Sequence, residues 1–317
     1  MKVFVTGGTG CLGRRLIDVL LAQDCEVTAL VRTFDRARSL PAAVRTVAGD
    51  VTRRDSLRAG MRGAEIVFHA AAFTRLGARP RDIALLQRIN VAGTREVLEL
   101  AAELGVPRVV FTSALEIYGD TAGQMLDEAH QPPAPLLASA YARSKRQALL
   151  EVVQPLQARG LPVVVVCPGA LYGPSDASLR GRLLRRWASR RLPVMIGPDS
   201  AYCWTRAADA AAGHWLAATH GQPGETYFLA GPALSQREFF AAAEQATGLP
   251  APRLWLPSGL ARLAARSLGR LRPDLAEVLR AFSGLTYLAR SDKAQRELGW
   301  QSRSLQDGLS ELAADAI

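Results

Sequence analysis

The chain has 317 residues, 49% hydrophobic and 21% charged, enough apolar material for one large α/β domain with a smaller lobe and far too much for a disordered chain. Its formal charge is +10, yet only Lys2, Lys145 and Lys293 are lysines, so the arginine excess looks like coding bias and a nucleic-acid partner is not expected. The longest apolar run, Leu161 to Ala170, is broken by Pro162, Pro168 and Gly169, and nothing approaches the roughly 18 residues of a membrane span. Cys11, Cys25, Cys167 and Cys203 have neither metal-ligand nor disulfide-framework spacing. With a core strand directly after Met1 and no cleavable leader, a cytoplasmic protein without a metal is expected.

Lys2 to Thr6 has the pattern of a short buried strand and runs into Gly7-Gly8-Thr9-Gly10-Cys11-Leu12-Gly13, after which Leu16, Ile17, Val19, Leu20 and Leu21 recur with helical period. Strand, glycine turn and helix together form a cradle for a pyrophosphate. Gly7 permits the turn, Gly10 lets the backbone approach the phosphates, and Gly13 lets the helix pack on the strand. The N–H groups at the helix start, from Thr9 through Cys11 and Leu12, and the positive end of the dipole face the anion. A glycine-rich turn without a ligand is the alternative for such a triplet taken alone.

Glu26 to Val31 gives a second strand, followed by Arg32-Thr33-Phe34-Asp35-Arg36 where the adenosine ribose of a dinucleotide would lie. NAD sites usually hold that ribose with an acid at the strand end, whereas NADP needs an arginine for the 2′-phosphate. The strand ends in Val31 and Arg32, which favours NADP; NAD, with Arg32 as an ordinary surface residue, is the alternative. Val44 to Ala48 is a third strand closed by Gly49-Asp50-Val51, and Glu65 to His69 a fourth that opens into Ala70-Ala71-Ala72. The small alanines suit a shelf beneath a cofactor, and His69 is expected in the core. Ile83 to Leu104 has helical periodicity but carries Asn90-Val91-Ala92-Gly93-Thr94, where Asn and Gly are locally unfavourable and point to packing or to the site.

Arg108 to Thr112 is a fifth strand, followed by Ser113-Ala114-Leu115-Glu116-Ile117-Tyr118-Gly119 and a proline-rich loop through Pro135. The next helix carries Tyr141 and Lys145 four residues apart and therefore on one face. A lysine kept where the chain otherwise writes arginine indicates that an ammonium is wanted. Beside a phenol it is expected to lower the phenol's pKa, making Tyr141 a proton donor and acceptor; an exposed pair is the bland alternative. Leu161 to Cys167 is a sixth strand, and Pro168-Gly169-Ala170-Leu171-Tyr172-Gly173-Pro174 leads to a second lobe. There, helices are expected over 178–190, 236–247 and 257–271, while a helix over 209–219 and a strand over 226–230 return to the main sheet. This divides the chain into a dinucleotide-binding domain, residues 1–170 with 205–230, and a substrate lobe formed mainly by 171–204 and 231–317. The basic run Arg180, Arg182, Arg185, Arg186, Arg190 and Arg191 suits an acidic substrate, a membrane surface or RNA, or else a solvated helix face.

Together these residues resemble the extended short-chain dehydrogenase/reductase superfamily, in its NAD-dependent epimerase/dehydratase group. The marks are the glycine loop, Gly49-Asp50-Val51, Asn90-Val91-Ala92-Gly93-Thr94, the Tyr141 and Lys145 pair, Pro168-Gly169, and Asp292-Lys293-Ala294 to Leu298-Gly299-Trp300. The resemblance implies an α/β Rossmann fold, a doubly wound parallel sheet with a smaller C-terminal substrate lobe, often as a homodimer through the helices of Asn90 and Tyr141. It also implies that Asp50 and Val51 flank the adenine, that Lys145 holds the nicotinamide ribose, and that Ala70 to Ala72, Asn90, Pro168, Gly169 and Leu171 belong to the cofactor site. Tyr202 stands where nucleotide-sugar members carry an arginine, with Arg206 as a substitute from the next turn. The chain is thus closer to the hydroxysteroid dehydrogenase-like and ketone-reducing branches.

Alignment with the family also puts Ala114 at the usual catalytic Ser/Thr position. Strand alternation sets Thr112 on the side of Ala114, about 7 Å back, and Ser113 on the other, so Ser113 is a candidate donor only if the backbone twists. A site lacking the donor, and a working Glu116 as in the dehydratases, are the alternatives. The expected function is an NADP(H)-dependent oxidoreductase acting on the carbonyl or secondary alcohol of a small, partly apolar molecule. The alternatives are a sugar epimerase or dehydratase that returns its hydride, and a non-catalytic nucleotide sensor or RNA-associated protein.

Overall fold

Seven parallel strands form the central sheet of the computed structural model, in the order Thr226–Leu229, Val163–Pro168, Arg108–Thr112, Ile66–His69, Lys2–Thr6, Glu26–Val31, Arg45–Ala48. Strands covered on both faces read as unbroken apolar runs, and Val163–Pro168 is buried at every position. The structure describes residues 1–130, 132 and 135–314. Gln131, Pro133 and Ala134 of the proline-rich loop lie outside the described residues, as do the side chains at 34, 36, 313 and 314.

The order steps outward from the Lys2–Thr6 strand in both directions, which places a crevice above the carboxyl ends of the strands beside it. On one face the Cys11–Ala22 helix packs against Ala207–Thr219. On the other, Val97, Leu98 and Ala148 bring the helices Gly93–Glu103 and Ala140–Ala148 onto Val109, Phe111 and Val165. The returning segment is fastened by the tail. Trp300 donates its indole N–H to the carbonyl of Asp209 at 2.8 Å, and Lys293 donates to the carbonyl of Thr226 at 3.1 Å. The glycine-terminated helix Asp292–Leu298 therefore acts as a clamp on the last strand of the sheet.

The long helix expected over 83–104 starts at Pro80 and is split by a π-helical turn, Gln87–Ala92. The wider turn swings Asn90 inward, where it is 1% exposed. Its side chain accepts from the N–H of Phe73 at 2.8 Å and donates to the carbonyl of Phe73 at 3.0 Å and to Ser144 Oγ at 2.9 Å. Gly93 has its own reason: a Cβ there would meet Val51 Cγ2 at 2.9 Å. Outside the sheet, Trp187, Tyr202, Trp204, Phe239 and Phe240 build a second, aromatic core. The helices Leu179–Ala188, Gln236–Thr247 and Ser258–Leu268 lie in this part of the chain. A helix the sequence pattern did not reveal, Pro273–Ala281, packs against Ser258–Leu268.

Candidate active site

A cavity of about 490 Å³ is lined by the glycine turn (Gly7, Thr9, Gly10, Cys11, Leu12, Gly13), by Arg32, Asp50, Val51 and Ala70 to Ala72, and by Ser113, Glu116, Tyr141 and Lys145. Pro168, Gly169, Leu171, Arg180 and Tyr202 complete this part of the wall. The glycine turn is thus brought beside Tyr141, more than 120 positions later in the chain, by the parallel sheet.

The glycine turn is shaped by close approach. Gly7 has φ +79°, and a Cβ on Gly13 would lie 2.1 Å from the carbonyl oxygen of Gly7. Gly10 differs: a Cβ there would meet only that oxygen, at 3.3 Å, so its remaining side is open. The Cys11–Ala22 helix begins at Gly10 without a side-chain cap, leaving first-turn N–H groups at the cavity. Burial, with the Asp176 carboxylate adding, pushes the Cys11 thiol up to about 12, so Cys11 stays protonated. Arg32 is exposed at the rim, and no carboxylate pairs with it among the described residues. Open glycine backbone, an uncapped helix start and an available guanidinium fit the phosphates of a dinucleotide.

Beneath the turn, a buried chain of hydrogen bonds fixes the strand ends. Thr6 Oγ1 and His69 Nδ1 are 2.7 Å apart, and His69 Nε2 is 3.0 Å from Thr94 Oγ1, which donates to the carbonyl of Asn90. Thr6 Oγ1 also accepts the N–H of Ala71 at 3.3 Å. Burial and the nearby Lys145 hold His69 down to about 3. It is a neutral core histidine, as expected.

Tyr141 and Lys145 lie on the helix Ala140–Ala148, whose N-cap Ser139 accepts the N–H of Ala142 at 3.0 Å. Lys145 is 2% exposed, donates to the carbonyl of Thr112 at 2.6 Å and sits 4.2 Å above the Phe111 ring. Burial pushes its pKa down to about 7. The expected lowering of the Tyr141 pKa by this ammonium is not what the structure gives: burial raises it, and the Glu116 carboxylate raises it further. Desolvation of the phenolate, unopposed by a fully charged amine, decides the sign.

Ser113 needs no backbone twist. Thr112 turns to the opposite face, where it is 2.9 Å from His214 Nε2. Because His214 Nδ1 donates to the carbonyl of Ala210 at 2.7 Å, Nε2 accepts and the Thr112 hydroxyl is already committed. Ser113 therefore shares the side of Phe111 and Lys145. It is 2% exposed and lines the cavity, and its hydroxyl makes no hydrogen bond of good geometry; the neighbouring Cys167 thiol is a weak partner. Ala114 and Glu116 also line the cavity.

Two of the expected site residues stand elsewhere. Asn90 holds the Phe73 backbone and the tyrosine helix but does not reach the cavity wall. Arg206 is drawn away by Glu311, its ion-pair partner, with Asp209 at 3.7 Å. Two residues that the sequence did not single out for the site matter. Glu277, on Pro273–Ala281, accepts the N–H of Ala78 at 3.0 Å and of Ala140 at 2.8 Å, tying its helix to the tyrosine helix. Arg180 turns into the cavity, whereas Arg182, Arg186, Arg190 and Arg191 remain exposed and Arg185 donates to the carbonyl of Asp176. The basic run is thus mostly a solvated face, with one inward member.

A family model described as the NAD dependent epimerase/dehydratase family matches residues 3–230. The chain is 33% identical over 324 residues to a 4-hydroxy-2-methyl-3-oxo-4-farnesyl-3,4-dihydroquinoline-1-oxide ketoreductase of Stigmatella aurantiaca, covering 98% of this chain and 96% of that protein. It is 34% identical over 265 residues to sterol demethylase protein B of Methylococcus capsulatus, covering 82% and 79%. The crystal structure of gox2253 superposes with a TM-score of 0.85 at 28% identity, covering 98% of this chain and 96% of that one.

Proposed function

The chain belongs to the NAD-dependent epimerase/dehydratase family and is an oxidoreductase, and from that premise we propose that it interconverts a ketone and a secondary alcohol on a small, partly apolar substrate using NADP(H). The observation that carries this reading is one continuous cavity that joins a phosphate-sized glycine cradle and Arg32 to Tyr141, Lys145 and the weakly held Ser113 hydroxyl. A nicotinamide cofactor held here would supply or accept the hydride. In reduction, Ser113 donates a hydrogen bond to the carbonyl oxygen and Tyr141 gives it a proton, becoming a phenolate; in oxidation the phenolate form of Tyr141 takes the proton of the alcohol. Lys145 would hold the ribose of that cofactor, and Gly10, Cys11 and Leu12 its pyrophosphate. A screen of ketones and sugar nucleotides with both cofactors tests the proposal. Net NADPH oxidation with an alcohol product supports it, while isomerisation of a sugar nucleotide with no cofactor consumed overturns it.

Arg32→Ala is expected to weaken NADPH at least tenfold and NADH little, because charge-assisted hydrogen bonds to the 2′-phosphate are each worth about 1.5–3 kcal/mol. Equal losses in a binding titration contradict the NADP assignment. Ser113→Ala is expected to cost about 10²-fold in kcat, the usual scale for one oxyanion donor, with cofactor affinity unchanged. If kcat is unaffected and Ala114→Ser instead raises it, the donor position is Ala114 and not Ser113.

A further inference from the structure

Resting on the ketone-reducing reading above, we propose that Arg180 anchors a carboxylate on the substrate, so that the substrate is a keto acid or its hydroxy acid with an otherwise apolar body. Arg180 lines the same cavity as Tyr141 and Ser113, and its side chain is 20% exposed. Its Nε is buried without a hydrogen-bond partner. Other arginines of that helix are satisfied by loop carbonyls: Arg182 donates to Ala177 and Arg185 to Asp176. Arg180 is held differently, with its guanidinium 4.5 Å from the Tyr202 ring centre and 5.8 Å from that of Trp204. Stacking fixes the plane of the fork, and the Tyr202 side chain is its one hydrogen-bonding neighbour among these rings, leaving Nε free.

Glu116 is the acid nearest to hand, and at 3.7 Å it is an ion-pair neighbour but not a hydrogen-bond acceptor. It leaves the buried donor unsatisfied, a costly state for a charged group. An arginine fork matches a carboxylate in two parallel bonds, and a carboxylate in the cavity removes that cost. Glu116 also faces Tyr141 electrostatically. The cation is therefore one side chain away from the phenol, close to the reacting carbonyl and not at the far end of a long substrate. Tyr202 and the neighbouring Phe282 and Tyr287 give the rest of this wall an apolar character.

The test is equilibrium binding to the NADPH-loaded protein, read by tryptophan fluorescence and calorimetry, of cyclohexanecarboxylate against its neutral counterpart cyclohexylmethanol. The wild type is expected to bind the carboxylate at least tenfold more tightly. Arg180→Gln is expected to abolish that preference and Arg180→Lys to retain part of it, both with unchanged NADPH affinity. No preference in the wild type, or a preference that survives Arg180→Gln, overturns the proposal. The wild-type comparison stands even if a variant fails to fold. Because the readout requires no turnover, a reductase reading that fails in the cofactor screen fails separately from this one.

Discussion

Tyr141→Phe is expected to lower kcat by at least about 10²-fold in either direction while leaving the Kd for NADPH within a factor of about two. The substitution removes one oxygen from a side chain that lines the cavity and leaves the ring to pack against Leu86 and Ala140. Lys145, the ribose-binding partner in this reading, keeps its hydrogen bond to Thr112. Burial and Glu116 hold the phenol in its protonated form well above neutral pH, so Tyr141 donates as a neutral acid and the reduction rate has no titration of this group between about pH 5 and 9. Steady-state kinetics with a confirmed ketone decide the matter. Undiminished turnover in the phenylalanine variant removes Tyr141 from the mechanism.

Lys145→Met is expected to damage function and improve stability at neutral pH. Loss of the amine removes the proposed ribose contact that positions the nicotinamide, with an expected cost of about 10²-fold in kcat and about tenfold in cofactor affinity. Stability moves the other way. The folded pKa of Lys145, about 7, lies below its ordinary 10.5. Between those values the unfolded chain binds the extra proton, so wild-type stability rises with pH across that window, and the penalty is complete below about pH 7. The variant carries no such penalty. The melting temperature of the cofactor-free variant is expected to exceed that of the wild type by several degrees at pH 7, the two converging towards pH 10. A variant that melts lower at pH 7, or a difference that does not shrink as pH rises, contradicts a neutralised buried lysine.

How much of this was legible in advance depended on the range of each interaction. The strand, glycine turn and helix from Lys2 to Ala22 are contiguous, and their residue types are dictated by local geometry: only glycine at position 13 avoids the Gly7 carbonyl. The spacing of Tyr141 and Lys145 is likewise a property of one helix, and the motifs in their order carried the family resemblance that implied a parallel, doubly wound sheet. Asn90 and Gly93 announced themselves as helix-unfavourable residues, although the π-turn and the partners that explain them, Phe73, Ser144 and Val51, came only with the fold.

What the tertiary structure alone decided were directions and environments. Periodicity shows that Thr112 and Ser113 face opposite ways, but His214, from a helix a hundred residues later, is what identifies the side of Thr112 and frees Ser113 for the cavity. The same pattern that marked 180–191 as a basic face does not say which arginine meets the aromatic wall of Tyr202 and Trp204. Glu311 captures Arg206 from 105 positions away, and Glu277 reaches Ala140 and Ala78, 137 and 199 positions away. The sign of the Tyr141 shift depends on how much water those remote segments exclude. Local sequence specifies backbone shape and which side chains share a face; burial, and hence charge state and free hydrogen-bonding capacity, is set by segments that meet only when the chain is folded.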